Sequence, residues 1–172
     1  MNASQVHLAL THFPVVLSIV GVIMLIVAFA SKNTGLKRTS FYVLIAAGIA
    51  TLPVFFTGEG AEEIIEDMPG VSESMIKQHE EIAKFALIAI ITSAVLSVAA
   101  LIPYKLQTVS RVLTILVFVS ILASSALLAQ TAHLGGQIRH PEIRTATIAA
   151  AENNNAGEGD ESLTKNQKHE DD

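Results

Sequence analysis

Four stretches of this chain are apolar for about the length a helix needs to cross a hydrocarbon layer, and polar residues fill the gaps between them. They run over residues 6–30, 41–57, 82–103 and 112–135, and Lys84 is the one charge inside them. None alternates with the period of two that marks a strand, and a segment in lipid must satisfy its own backbone, so each is predicted to be a transmembrane helix. The fold expected is all-α: an integral membrane four-helix bundle over residues 1–149. Between the second and third spans lies an acidic loop, 58–81, in which Ala61 to Met68 suggest a short separate helix. Pro69-Gly70 then break the chain, and Ser72 is placed to cap the helix that becomes span three. From residue 150 to 172 the sequence turns polar and low in complexity, a composition that cannot bury apolar surface and is expected to form a disordered acidic tail. The sequence shows no internal repeat of the transporter kind, and its halves share no clear broken-helix pattern.

Charge orients this bundle. Lys32, Lys37 and Arg38 follow span one, Lys105 and Arg111 follow span three, and neither segment holds an acid; all 16 acidic residues fall in the second loop or after span four. Basic loops stay cytoplasmic. Both termini and the acidic loop are therefore expected on the periplasmic side of a bacterial inner membrane. The first span lacks the basic start of a secretory signal and reads as retained.

Composition narrows the chemistry. At 51% hydrophobic and 16% charged the chain is membrane-like. It has no Cys, which excludes disulfides, thiolate metal sites and covalent haem attachment and leaves His and carboxylates as the strong ligands. There is no phosphate loop, nucleotide fingerprint or serine elbow, hence no catalytic signature. No basic patch suits nucleic acid. No charge lies at the middle of a span, which argues against a midplane proton relay.

The candidate chemistry is carried by histidine. His7, His12, His79, His133, His140 and His169 all fall on the predicted outer side. His12 lies inside span one, His133 near the end of span four, and His79 about a turn before span three; ionisable groups at such depths usually face a partner or a cavity. These three are the preferred ligands, with His7 and His140 in reserve. His7 also reads as an interfacial residue and His169 as part of the tail. His7 and His12 are too far apart in angle to share a narrow helix face. Gly135-Gly136 and Pro141 argue against the fourth helix continuing to His140, and the glycines read either as a helix stop or as room for a large flat ligand to approach the backbone. Imidazoles from different helices suit a b-type haem with two axial ligands, or a Cu, Zn or Fe ion. Glu59, Glu62, Glu63 and Glu66 form a helical stripe and Glu80 follows His79, so a mixed site of His12, His79 and His133 with Glu59, Glu62, Glu63 and Glu80 is a second possibility; the stripe reads equally as a solvated face. Gly21, Gly48, Ser93, Ser97, Ser124 and Ser125 within the spans suit close helix association.

The segment VHLALTHFPVVL resembles the opening of a family of small bacterial four-helix membrane proteins, with His7, His12, Phe13 and Pro14 matching and Leu8 standing where Pro is usual. His79 matches a histidine at the outer start of that family's third helix, and Leu134-Gly135-Gly136 with His140 resemble its close. The resemblance covers about residues 5–145. Its layout is similar to that of transmembrane cytochromes b, which implies haem, electron transfer, and a quinone or periplasmic redox partner. A non-haem metal protein and a packing subunit of a membrane complex or homo-oligomer are the alternatives.

Overall fold

A computed structural model describes residues 2–66, 68 and 71–139. It contains four helices: α1 (Ala3–Ser31), α2 (Thr34–Ile65), α3 (Glu73–Leu101) and α4 (Gln107–Arg139). No strand occurs among the described residues. At 1.5 Å per residue these helices of 29 to 33 residues are about 44–50 Å long, so each overruns a hydrocarbon layer of about 30 Å at one or both ends.

The helix ends follow local chemistry. Asn2 and Gln5 form a reciprocal capping box at the start of α1. Lys32 ends α1 in the left-handed region (φ 53°), and the Asn33 amide closes back on the Ala28 carbonyl at 3.1 Å. The Asn33 side chain then accepts from the Leu36 amide at 3.0 Å and starts α2. One residue thus ends a helix while its neighbour begins the next, which forces α1 and α2 antiparallel. Pro103 stops α3 because the residue before a proline avoids helical geometry, and Ile102 is extended at ψ 132°. Ser72 does occupy the cap position of α3, but its hydroxyl pairs with Ser74 Oγ at 2.8 Å rather than with a helix amide.

Two expected breaks are absent. The stretch from Ala61 is not a separate helix; α2 runs unbroken through Gly58 and Gly60 to Ile65. Likewise α4 passes through Gly135-Gly136 to Arg139. A glycine costs a helix only about 1 kcal/mol, and packing against neighbouring helices offsets it. The acidic tail and the domain limit near residue 149 lie outside the described residues.

The helices form a ring in chain order. The hairpins α1–α2 and α3–α4 are most closely packed, α2–α3 next, and α1–α4 most sparsely. Short connections at Lys32–Asn33 and Ile102–Leu106 define one end of the bundle, the connection end. The N-terminus and the α2–α3 link lie at the other, the terminal end. Leu25, Phe41, Leu44, Ile90, Val117 and Ile121 fill the core. Glycine lets the backbones close where the core is thinnest. A Cβ on Gly21 would collide with the Leu44 side chain, and one on Gly48 would lie 2.6 Å from Ala94 Cβ.

The distribution of polarity is that of a membrane protein. Ser18, Ser40, Ser93, Ser97 and Ser124 are buried, while Ile23, Ile49, Phe56, Ile88, Val95 and Val119 are exposed. Such an apolar exterior would not be tolerated in water. The hydroxyls are satisfied by carbonyls of their own helix, as in Ser97 to Ser93 at 2.7 Å, and Ser93 also meets Ser120 and Ser124 on α4 at 2.9 and 3.0 Å. Lys84, the charge inside span three, pairs with Glu80 a turn nearer the terminal end at 2.8 Å, drawing its ammonium out of the apolar zone.

Asn33→Ala should lower stability by about 1 kcal/mol through loss of the α2 cap. Gly48→Val should cost more, about 1–3 kcal/mol, through overpacking at Ala94. Reversible unfolding in mixed detergent and SDS measures both.

Candidate functional site

Two imidazoles enter the bundle at its terminal end. His7 projects from α1, on the stripe that continues through buried Pro14, Ser18, Gly21 and Leu25. His79 projects from α3, which is diagonal to α1 in the ring. Both rings are half-buried. Both stand at the same end of the bundle.

Each ring is anchored to the next helix of its own hairpin. His7 Nδ1 lies 3.0 Å from the Val54 carbonyl and 3.2 Å from Thr57 Oγ1 on α2. Thr57 directs its own hydroxyl hydrogen at the Pro53 and Val54 carbonyls, 2.8 and 3.0 Å away, so its oxygen is an acceptor for the ring. His79 Nδ1 lies 3.0 Å from the Thr131 carbonyl on α4. A carbonyl only accepts. Both rings must therefore carry hydrogen on Nδ1, and in the neutral form Nε2 keeps a free lone pair. That tautomer and that anchoring are what a metal-ligating histidine has when a backbone carbonyl holds its far nitrogen.

Glycine makes the anchoring possible. A helical side chain covers the turn on its N-terminal side, so a side chain one turn after a carbonyl tends to screen it. One turn after Val54 stands Gly58, and one turn after Thr131 stands Gly135. A Cβ on Gly58 would lie 3.6 Å from His7 Cε1, and one on Gly135 only 3.3 Å from His79 Cε1. At Gly135 the ring crowds the space a side chain would take, whereas at Gly58 a Cβ would only make ordinary contact with the ring.

Of the residues expected from sequence, then, the structure anchors His7 and His79 across their hairpins at the same end of the bundle. His12 and His133 face outward. His12 Nδ1 donates to the Leu8 carbonyl of its own turn at 3.0 Å, and His133 Nε2 pairs with Gln137 at 2.9 Å. Glu59, Glu63 and Glu66 are exposed at the end of α2, Glu62 is half-buried, and Glu80 is held by Lys84. Among the described residues no three histidines or carboxylates converge in a metal-binding group. His140 and His169 lie outside the described residues. The signal for His7 was its register with the buried stripe of α1; depth along the span had pointed to His12 instead.

Residues 3–141 match a family described as "Predicted membrane protein (DUF2231)". The chain belongs to that family. The match takes in all four helices and both anchored histidines. No curated protein and no solved structure matches the chain.

Nitrogen-15 NMR of histidine-labelled protein in detergent should find His7 and His79 as Nδ1–H tautomers, with Nε2 at the shift of an unprotonated ring nitrogen. Nε2–H tautomers at both would contradict the anchoring.

Proposed function

We propose that this member of the family is a membrane redox protein that holds a b-type haem between His7 and His79. It would lie near the periplasmic face of a bacterial inner membrane and exchange electrons between a quinone-level donor and an outer partner.

The observation that carries this reading is the pair itself: two imidazoles on diagonal helices, at one end of the bundle, each held at Nδ1 with its Nε2 lone pair free. The donor set fits the group. A haem asks the protein for two axial ligands because the porphyrin supplies the other four, whereas a protein-held Zn or Cu ion usually takes three or four side chains. His7 and His79 would be the axial ligands, and the haem would supply a one-electron couple. The carbonyl bonds at Nδ1 raise the basicity of both ligands and fix their planes. The sparse contact between α1 and α4 is the flank at which a planar ligand would enter.

Orientation supports an outward-facing site. Lys32, Lys37, Arg38, Lys105 and Arg111 cluster at the connection end, away from the histidines. By the positive-inside rule that end is cytoplasmic and the histidine end is periplasmic. The chain has no natural Cys, so single introduced thiols report sidedness directly. Glu73→Cys should react with an impermeant maleimide added outside the inner membrane, and Lys105→Cys only after the membrane is opened. The reverse pattern would overturn the orientation.

Protein purified from its own membrane should carry haem by pyridine haemochrome assay. His7→Ala and His79→Ala should each reduce the content severely, while His12→Ala and His133→Ala leave it near wild type. Absence of haem in the wild type ends this reading, and a stoichiometric metal ion found in its place would redirect it to non-haem chemistry.

A further inference from the structure

The two anchored histidines are placed alike. In each hairpin, the first helix contributes the histidine, the second contributes the accepting carbonyl, and a glycine stands one turn after that carbonyl. The correspondence extends along much of the bundle. The step in sequence from His7 to His79 carries buried Pro14, Ser18 and Leu25 of α1 onto buried Ala86, Ile90 and Ser97 of α3. The step from Gly58 to Gly135 carries buried Leu44, Ala47, Thr51 and Ala61 of α2 onto buried Ile121, Ser124, Leu128 and Ile138 of α4. Side-chain type is kept at few of these pairs, and burial is kept at those named but not throughout, since Ala28, Phe41 and Gly48 are buried whereas Ala100, Phe118 and Ser125 are only partly so. Inside the hairpins the packing agrees, since α1–α2 and α3–α4 are the two closest interfaces; between the hairpins it is only approximate, because the twofold pairs α2–α3 with α4–α1 and the first is the more closely packed.

We infer that the bundle is two copies of one helical hairpin related by a twofold axis along its length, and that His7 and His79 are the equivalent halves of a single two-imidazole site on that axis. Gly58 and Gly135 are its positioning residues. The site takes one metal centre with two like nitrogen ligands. Its equivalence stands on the geometry alone; haem as the occupant rests on the function proposed above.

The copies differ at one point that aids the test. His7 has the extra acceptor Thr57 Oγ1, whereas the corresponding position in the second hairpin is buried Leu134. The duplication also explains why a single set of helix registers serves both ligands. If one ring reaches a carbonyl bared by glycine at a given depth, the twofold places its mate at the same depth.

The test has two arms on the full chain in detergent. The first uses cofactor-free protein labelled at histidine. Gly58→Ala should shift the ring nitrogen signals of His7, Gly135→Ala those of His79, and Gly135→Ala should act more strongly because its methyl meets the ring at 3.3 Å rather than 3.6 Å. Thr57→Val preserves size and helix packing, and should shift His7 while leaving His79 in place. If both glycine variants leave the rings unmoved, or both move the same ring, equivalence is wrong. The second arm titrates haemin. Wild type should give a six-coordinate low-spin ferric spectrum. His7→Ala and His79→Ala should each lose it, and added imidazole should restore it in both. One variant retaining the wild-type spectrum overturns the paired site. Failure of wild type to bind haemin, with the glycine shifts as expected, rejects the haem and supports the paired site.

Discussion

Everything in this structure follows from the absence of water in the hydrocarbon layer. A polar group placed there must find its partner within the protein, at a cost of several kcal/mol if it does not. The backbone meets this demand by becoming helix, and buried hydroxyls such as those of Thr51, Ser93 and Ser97 meet it on their own helices, Ser125 being the exception, so the apolar side chains turn outward. The same demand leaves few acceptors for a histidine ring. A carbonyl inside a helix is already engaged and is usually screened by the side chain one turn on. Gly58 and Gly135 remove that screen, and the two rings that reach inward use it.

This arrangement separates anchoring from ligation. The nitrogen nearer the backbone is committed to a carbonyl, which sets the tautomer and leaves the far nitrogen as a base. Lipid-side His12 shows the contrast. Its Nδ1 is also bound to a carbonyl, but to one in its own turn, so the ring lies along the outside of α1 and meets no second helix. A ring tied across a hairpin is positioned by two helices and joins their packing to the site.

The spans were legible in the sequence because hydrophobic length is a local property. Ser72 as the start of α3 was legible too, and so was the angular separation of His7 from His12. What was not legible came from contacts between distant residues. The stretch from Ala61 read as a separate helix and the Gly135-Gly136 pair as a stop, yet α2 and α4 continue through them, with Ala3 packed close to Gly60 and the His79 ring close to Gly135. Depth along the span favoured His12 and His133, but facing is set by which side of a helix its neighbours cover. His7 shares the face of Pro14 and Leu25 and is turned inward, while His12 is turned to lipid. The likeness of the two hairpins was hidden for a related reason. It lies in burial and register at many positions and not in side-chain identity, as Leu44 against Ile121 and Thr51 against Leu128 illustrate.

The claim at the centre of this account is that His7 and His79 together face one metal centre. Electron paramagnetic resonance of the oxidised protein, purified without added haem, addresses it most directly. The account predicts a low-spin ferric signal of the two-imidazole type that disappears in His79→Ala and in His7→Ala and persists in His12→Ala. A signal that survives His79→Ala, or one that vanishes with His12→Ala, would contradict it.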